Sequence, residues 1–167
     1  MPTSNGLITT DLGGGATKYE YLVTLPILSS ETNAVSNSKV MVNGDTLFTL
    51  TGDIRIINLV SECISANDGT LTTIQYSITP TIGSATAISG VSASLASLAA
   101  GSIITVVGDA LATAPVISTT GVGLAQTARG IYAPTGSIKI VVAVGSTTGT
   151  WRHYLRYTPL EPGAIAY

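Results

Sequence analysis

Apolar side chains recur at every second position through most of this chain, and Gly, Pro, Asn and Asp interrupt them, a pattern that predicts strands joined by turns. The clearest case runs from Ala133 to Gly163. Two strand-like runs, Gly136 to Val144 and Thr150 to Thr158, are joined by Gly145-Ser-Thr-Thr-Gly149 and closed by Pro159-Leu-Glu-Pro-Gly163. Alternation puts Ile138, Ile140, Val142 and Val144 on one face of the first run and Trp151, His153, Leu155 and Tyr157 on one face of the second. Paired as a hairpin with Val144 opposite Trp151, the runs match Val142 with His153, Ile140 with Leu155 and Ile138 with Tyr157. A slip of one residue would scatter this set, so that register is the expectation.

The rest of the chain reads the same way. Met1 to Thr17 is a polar arm containing Gly13-Gly-Gly15, expected to be disordered or pinned by a neighbour because ordering Gly-rich backbone costs the most entropy. Lys18 to Leu25 predicts a strand ended by Pro26, and Thr32 to Ser38 a polar loop. Lys39 to Val42, Asn43-Gly44-Asp45 and Thr46 to Thr51 predict a short hairpin, since Asn-Gly supplies the positive φ of a tight turn. Asp53 to Ile64 is apolar on both faces, as expected of a strand buried on both sides or between subunits. It is predicted to pair with Leu71 to Thr79 across the Asn67-Asp-Gly69 turn. Ser94 to Ala99 reads as one helical or 3₁₀ turn, Ser102 to Val107 and Ala114 to Thr119 as strands, and Gly121 to Gly130 as a loop.

About nine or ten short strands with almost no helix predict an all-β fold, an antiparallel β-sandwich or jelly-roll-like domain over residues 18–167 with an extended N-terminal arm over residues 1–17. No fixed-period repeat is present, which sets aside propellers and solenoids.

Composition changes the picture in one respect. Charged residues make up 10% of the 167, against roughly 25% in a typical soluble domain, so much of the exterior is expected to be covered in an assembly. Net charge is −2, which predicts no general attraction to nucleic acid. The N-terminus lacks the basic and apolar regions of a signal peptide, and no apolar run is long enough to span a membrane. The single Cys63 rules out an internal disulfide and a multi-cysteine zinc site, and its strand position reads as a buried thiol.

Candidate chemistry is sparse. The one histidine, His153, falls on the inward face and reads as a hydrogen-bonded core or interface residue rather than the base of a triad. Asp45, Asp53, Glu62, Asp68 and Asp109 stand singly beside turns and strand ends, where Asp bonds local backbone. No catalytic, metal or cofactor set is expected. Gly13-Gly-Gly15 and Gly121-Val-Gly123 lack the lysine and helix of a phosphate loop.

The one functional signal is a cation cluster. In the hairpin register Lys139 lies opposite Arg156, and Arg152 flanks Tyr154, so like charges face each other across a strand pair. The neutralising acid is expected either from the same chain, as Glu161, Glu20 or Glu31, or from another subunit. In the second case Lys139, Arg152, Tyr154 and Arg156 form an assembly interface.

The segments Gly136-Ser-Ile-Lys-Ile-Val-Val-Ala143 and Thr148-Gly-Thr-Trp-Arg-His-Tyr-Leu-Arg-Tyr-Thr-Pro-Leu-Glu-Pro-Gly163, with Leu47-Phe-Thr-Leu-Thr-Gly-Asp-Ile-Arg-Ile-Ile-Asn-Leu-Val60 upstream, resemble a group of small virion proteins of tailed bacteriophages. That resemblance implies a capsid decoration (cement) protein, a β-rich trimer on the outside of the head in contact with the major capsid protein, without enzymatic activity, nucleic-acid binding or membrane association. It places the protein in the virion after synthesis in the host cytoplasm. A second reading is a glycan-binding, receptor-binding module of a tail fibre or baseplate, in which exposed Tyr and Trp stack on sugars.

Overall fold

The computed structural model describes residues 7–11, 17–21, 31–106, 111–120 and 130–167, and the described residues contain no helix. The strands are β1 (Leu7–Asp11), β2 (Thr17–Tyr21), β3 (Thr32–Val35), β4 (Lys39–Val42), β5 (Thr46–Leu50), β6 (Ile54–Cys63), β7 (Ile74–Pro80), β8 (Thr86–Ala87), β9 (Ile103–Thr105), β10 (Val116–Ser118), β11 (Ile131–Ala133), β12 (Gly136–Val142) and β13 (Ser146–Pro159). All ladders are antiparallel.

Two sheets enclose one core, as the alternating pattern requires. The larger runs β10-β9-β6-β13-β3, with β11 also on β6 and β4 also on β13; the smaller runs β5-β12-β7-β8. Met41, Ile54, Ile56, Leu59, Ile104, Trp151, Leu155 and Tyr157 line the core from the larger sheet, and Phe48, Leu50, Ile74, Tyr76, Ile78, Ile138 and Ile140 from the smaller. The β-sandwich is the expected fold.

Most strand faces match expectation, but Val144, expected inward with Ile138, Ile140 and Val142, is exposed because β12 ends at Val142 and Val144 lies in the turn that follows, and three expected pairings do not form. β12 pairs with β5 and β7 in the smaller sheet, whereas β13 pairs with β3, β4 and β6 in the larger, so the hairpin register of Ile138 with Tyr157 and Lys139 with Arg156 is corrected. The expected hairpin of β4 with β5 and the expected pairing of β6 with β7 are likewise split between the sheets. The reason is burial. A hairpin would set both apolar rows side by side and leave them needing another layer, whereas crossing between sheets lets the Ile138–Val142 row face the Trp151–Tyr157 row.

The turn chemistry was therefore right and the outcome different, because these turns are corners. At one, Asp45 N–H donates to Val42 O at 3.0 Å, with Gly44 at φ +85°. At the other, Gly145 N–H donates to Val142 O at 3.1 Å, with Gly145 at φ +91°. Both glycines occupy left-handed backbone that other residues reach only with strain. The corners bond to each other through Asn43 N–H to Gly145 O at 2.7 Å and Val142 N–H to the Asn43 side-chain oxygen at 3.1 Å. They close one end of the sandwich.

The apolar character of both faces of β6 has a local cause. Ladder register shifts where Arg156 faces Asn58 but Tyr157 faces Ile56, leaving Ile57 as the extra residue of a β-bulge. Inward residues are Ile54 and Ile56 before it and Leu59, Ser61 and Cys63 after it. Parity switches once, so a single buried face draws on both alternating sets.

Three local expectations need correction. Thr32 to Ser38, expected as a polar loop, begins with β3, whose Thr32 to Val35 backbone pairs with Tyr157 to Tyr154 of β13. Ser94 to Ala99 holds no helix but a β-turn closed by Leu98 N–H to Leu95 O at 3.3 Å, with Ser97 at φ +58°. β1, inside the expected arm, pairs with β2, which starts at the arm's last residue, as a separate two-stranded sheet, Leu7 facing Tyr21 and Asp11 facing Thr17. Residues 1–6, 12–16 and 22–30, with the Gly13-Gly-Gly15 run and the half of the expected Lys18 to Leu25 strand beyond Tyr21, lie outside the described residues, as do Asp109 and the Gly121 to Arg129 loop.

Candidate functional site

The side chains singled out in the sequence divide between two surfaces. Arg152, Tyr154 and Arg156 project from the outer face of the larger sheet, alternating with buried Trp151, His153, Leu155 and Tyr157. Lys139 belongs to the other sheet, where Ser77 and Thr46 are its ladder neighbours. The four residues do not form one cluster, and the like-charge contact between Lys139 and Arg156 does not exist.

Pairing of β13 with β3 and β6 sets three cross-strand rows on that outer face. Asn33, Arg156 and Asn58 form one; Val35, Tyr154 and Val60 the next; Arg152 faces Glu62 in the third. Each cation or hydroxyl has a partner within the chain. Arg156 forms an ion pair with Glu31, its Nε 2.6 Å from Glu31 Oε2. Tyr154 donates its hydroxyl to Glu62 Oε2 at 2.6 Å, and Arg152 Nε donates to Ser38 Oγ at 3.0 Å. Glu31 was among the expected acids. Glu62 was missed because its partner strand was misassigned, although its place beside Val60 and Asn58 on β6 was legible.

Glu31 thus neutralises Arg156 from within the chain, while Arg152 is held by a hydroxyl. What the face presents is a shallow groove of about 210 Å³ lined by Asn33, Val35, Asn58, Val60, Tyr154 and Arg156. The bond to Glu62 holds the Tyr154 ring, and exposed Val35 forms an apolar wall.

A second surface surrounds the bonded corners. Val42, Val141 and Val144 are exposed there, beside the Lys39–Asp45 ion pair at 3.1 Å. Burial raises the Asp45 pKa, but the Val42 N–H bond and the Lys39 ammonium outweigh it and hold that carboxyl below its usual range. This end combines exposed valines on both sheets with one fixed ion pair.

A further group with reactive potential is internal. His153 is fully buried, as expected, and its Nδ1 lies 2.6 Å from Ser61 Oγ, which lies 2.6 Å from the Tyr76 hydroxyl of the opposite sheet. Burial, with a smaller contribution from the Lys39 charge, pushes the His153 pKa down to about 4. Burial pushes the Tyr76 hydroxyl up. Histidine and serine are arranged as in a nucleophile–base pair, but in the sealed interior where no substrate reaches them. The network ties the two sheets together.

Among the described residues, no three His, Cys, Asp or Glu side chains could hold a metal ion, and no helix is long and apolar enough to cross a membrane. No family model, curated protein or solved structure matches the chain.

Proposed function

We propose that this chain is a structural component of a tailed-phage particle: a capsid decoration protein that self-associates as a trimer, binds the major capsid protein on the outside of the head, and performs no catalysis. The observation that carries the reading is the exposure of three valines, Val42 on the larger sheet, Val141 on the smaller and Val144 in the turn after β12, near the end where both corners meet. With charged residues at 10%, such exposed apolar side chains suit contact with other protein surfaces. Several modest contacts per oligomer add up to firm attachment on a symmetric shell. The bacteriophage-like segments at Leu47–Val60 and Gly136–Gly163 supply the particle setting.

Native mass spectrometry of the purified chain tests the association. A trimer is expected, shifted toward monomer by Val42→Asp with Val144→Asp. A wild-type monomer at high concentration contradicts it.

A second reading, a glycan-binding module, is favoured by the Tyr154 groove. A ring held at its hydroxyl, flanked by two carboxamides and a guanidinium, offers a stacking surface and hydrogen-bonding groups to a sugar. Glycan-array binding that Tyr154→Ala abolishes would favour this reading over the first; an array without signal removes it.

A further inference from the structure

The smaller sheet gains one more strand that its sequence scarcely advertises. After β13 the chain turns at Glu161-Pro-Gly-Ala164, closed by Ala164 N–H to Glu161 O at 3.2 Å, with Gly163 at φ +83°. Pro then Gly at the central positions is the type II signature. Residues 164–167 then lie antiparallel along the outer edge of β5. Thr49 N–H donates to Tyr167 O at 2.8 Å, Tyr167 N–H to Thr49 O at 3.1 Å, and Thr51 N–H to Ile165 O at 3.0 Å. On its other side Ala166 N–H donates to the Tyr157 hydroxyl at 3.1 Å, so this strap also bridges to the larger sheet.

Fit along the slot depends on small side chains. Ala164 and Ala166 are buried, while Ile165 and Tyr167 point outward and are exposed. Opposite Ala164 stands Gly52, where an added Cβ would lie 2.7 Å from the Ala164 Cβ and 2.5 Å from Glu161 Oε1. The slot therefore accepts an extended peptide with small residues at alternate positions and rejects larger ones.

We infer that the β5 edge and its slot form a strand-receiving site, and that a second copy of this chain supplies the strand by exchanging residues 164–167. Recognition uses backbone bonds to β5, the Tyr157 hydroxyl and two buried alanines, so an identical segment from a neighbour reproduces every contact, and exchange loses no interaction at the slot. The strap joins β13 through one short turn, so once its bonds to β5 and to the Tyr157 hydroxyl open it parts as a unit while β13 stays in its ladder. Outward Ile165 and Tyr167 then lie between the two bodies, where their apolar surface is covered. This rests on the self-association reading for its setting, but names a different contact from the exposed valines.

Full-length chains carrying Thr49→Cys or Tyr167→Cys test it, because these two residues face each other in the paired strap. Equal amounts are mixed at high concentration, oxidised mildly and resolved without reductant. The expected product is a covalent heterodimer in several-fold excess over either homodimer, increasing with concentration. Heterodimer no more abundant than homodimers, while a chain carrying both substitutions closes its own disulfide, overturns exchange. A doubly substituted chain that closes neither within itself nor between copies overturns the site itself. A trimer by native mass spectrometry without heterodimer rejects exchange yet keeps self-association.

Discussion

His153 Nδ1 and Ser61 Oγ stand 2.6 Å apart on adjacent strands in a site from which water is excluded, and Ser61 passes the contact across the core to Tyr76. Protonating the imidazole would place a charge in the apolar interior beside Lys39, which is why its pKa falls to about 4. In the unfolded chain the same group titrates near 6.5. Between those values the unfolded state binds the proton and the folded state does not, so stability falls as pH drops through this window and the contribution is fully lost below about 4. The loss amounts to about 3 kcal/mol. Urea unfolding followed by the fluorescence of Trp151, the one tryptophan and fully buried, should show a lower midpoint at pH 4 than at pH 7.5. In His153→Gln most of that difference disappears; an unchanged pH dependence in the variant assigns it elsewhere.

Ser61 is the hinge of that network, so its removal costs more than one hydrogen bond. Ser61→Ala leaves both the Tyr76 hydroxyl and His153 Nδ1 buried without this partner and should destabilise by about 2–3 kcal/mol. Tyr76→Phe removes the hydroxyl along with its need for a partner and should cost about 1 kcal/mol. The two losses should fall short of additivity in a double-mutant cycle measured by urea unfolding. Strict additivity would mean that the contacts act independently.

The success of alternation in this sequence, and its limit, both follow from what side-chain patterning encodes. It records which way residues face, so Trp151, His153, Leu155 and Tyr157 were correctly placed inward, as were Ile138, Ile140 and Val142. It does not record which strand lies alongside. Asn43-Gly44 and Val144-Gly145 carry the residues of tight turns, yet a corner between sheets needs the same backbone as a hairpin, and only packing of one apolar row against another decides between them. A bulge at Ile57 was similarly hidden, because a one-residue parity switch looks like apolar character on both faces. The strap was missed because Ala164-Ile-Ala166 is too short to show a period, and its signal was the Pro162-Gly163 turn preceding it.

Asn67 is a second buried polar anchor. Its side-chain oxygen accepts Gly149 N–H at 2.7 Å and lies 3.4 Å from Trp151 Nε1, while its amide donates to Leu95 O at 3.0 Å. One carboxamide thus fixes the start of β13, the tryptophan ring and the Leu95 turn. Asn67→Ala should cost about 2 kcal/mol in thermal or urea unfolding and shift the native Trp151 emission. A loss below about 0.5 kcal/mol would show that Gly149 and Trp151 find other partners.

Arg156 and Glu31 make the opposite case. Their ion pair lies on the surface with both side chains about half exposed, where solvent screens the charges. Arg156→Ala should change stability by less than about 1 kcal/mol. The variant separates folding from association: a normal melting temperature with altered oligomer distribution assigns the guanidinium to an interface, and an unchanged distribution confines its role to the ion pair.

Cys63 gives a direct measure of how tightly the sandwich closes. Its thiol is buried between β9 and β13, with Sγ 3.1 Å from Ser65 O. Burial pushes its pKa up; the bond from Asn67 opposes this and the Glu62 charge adds to it. Thiol reagents attack the thiolate, so both access and ionisation are suppressed in the folded chain. Reaction with a colorimetric disulfide reagent at pH 8 should therefore be at least about 100-fold slower in native buffer than in denaturing urea, since it waits on opening of the structure. Ser61→Ala should speed the native reaction by weakening the same layer of the core. Native labelling at the unfolded rate would mean that β6 separates from its neighbours without global unfolding, and the sealed interior inferred for His153 would fail with it.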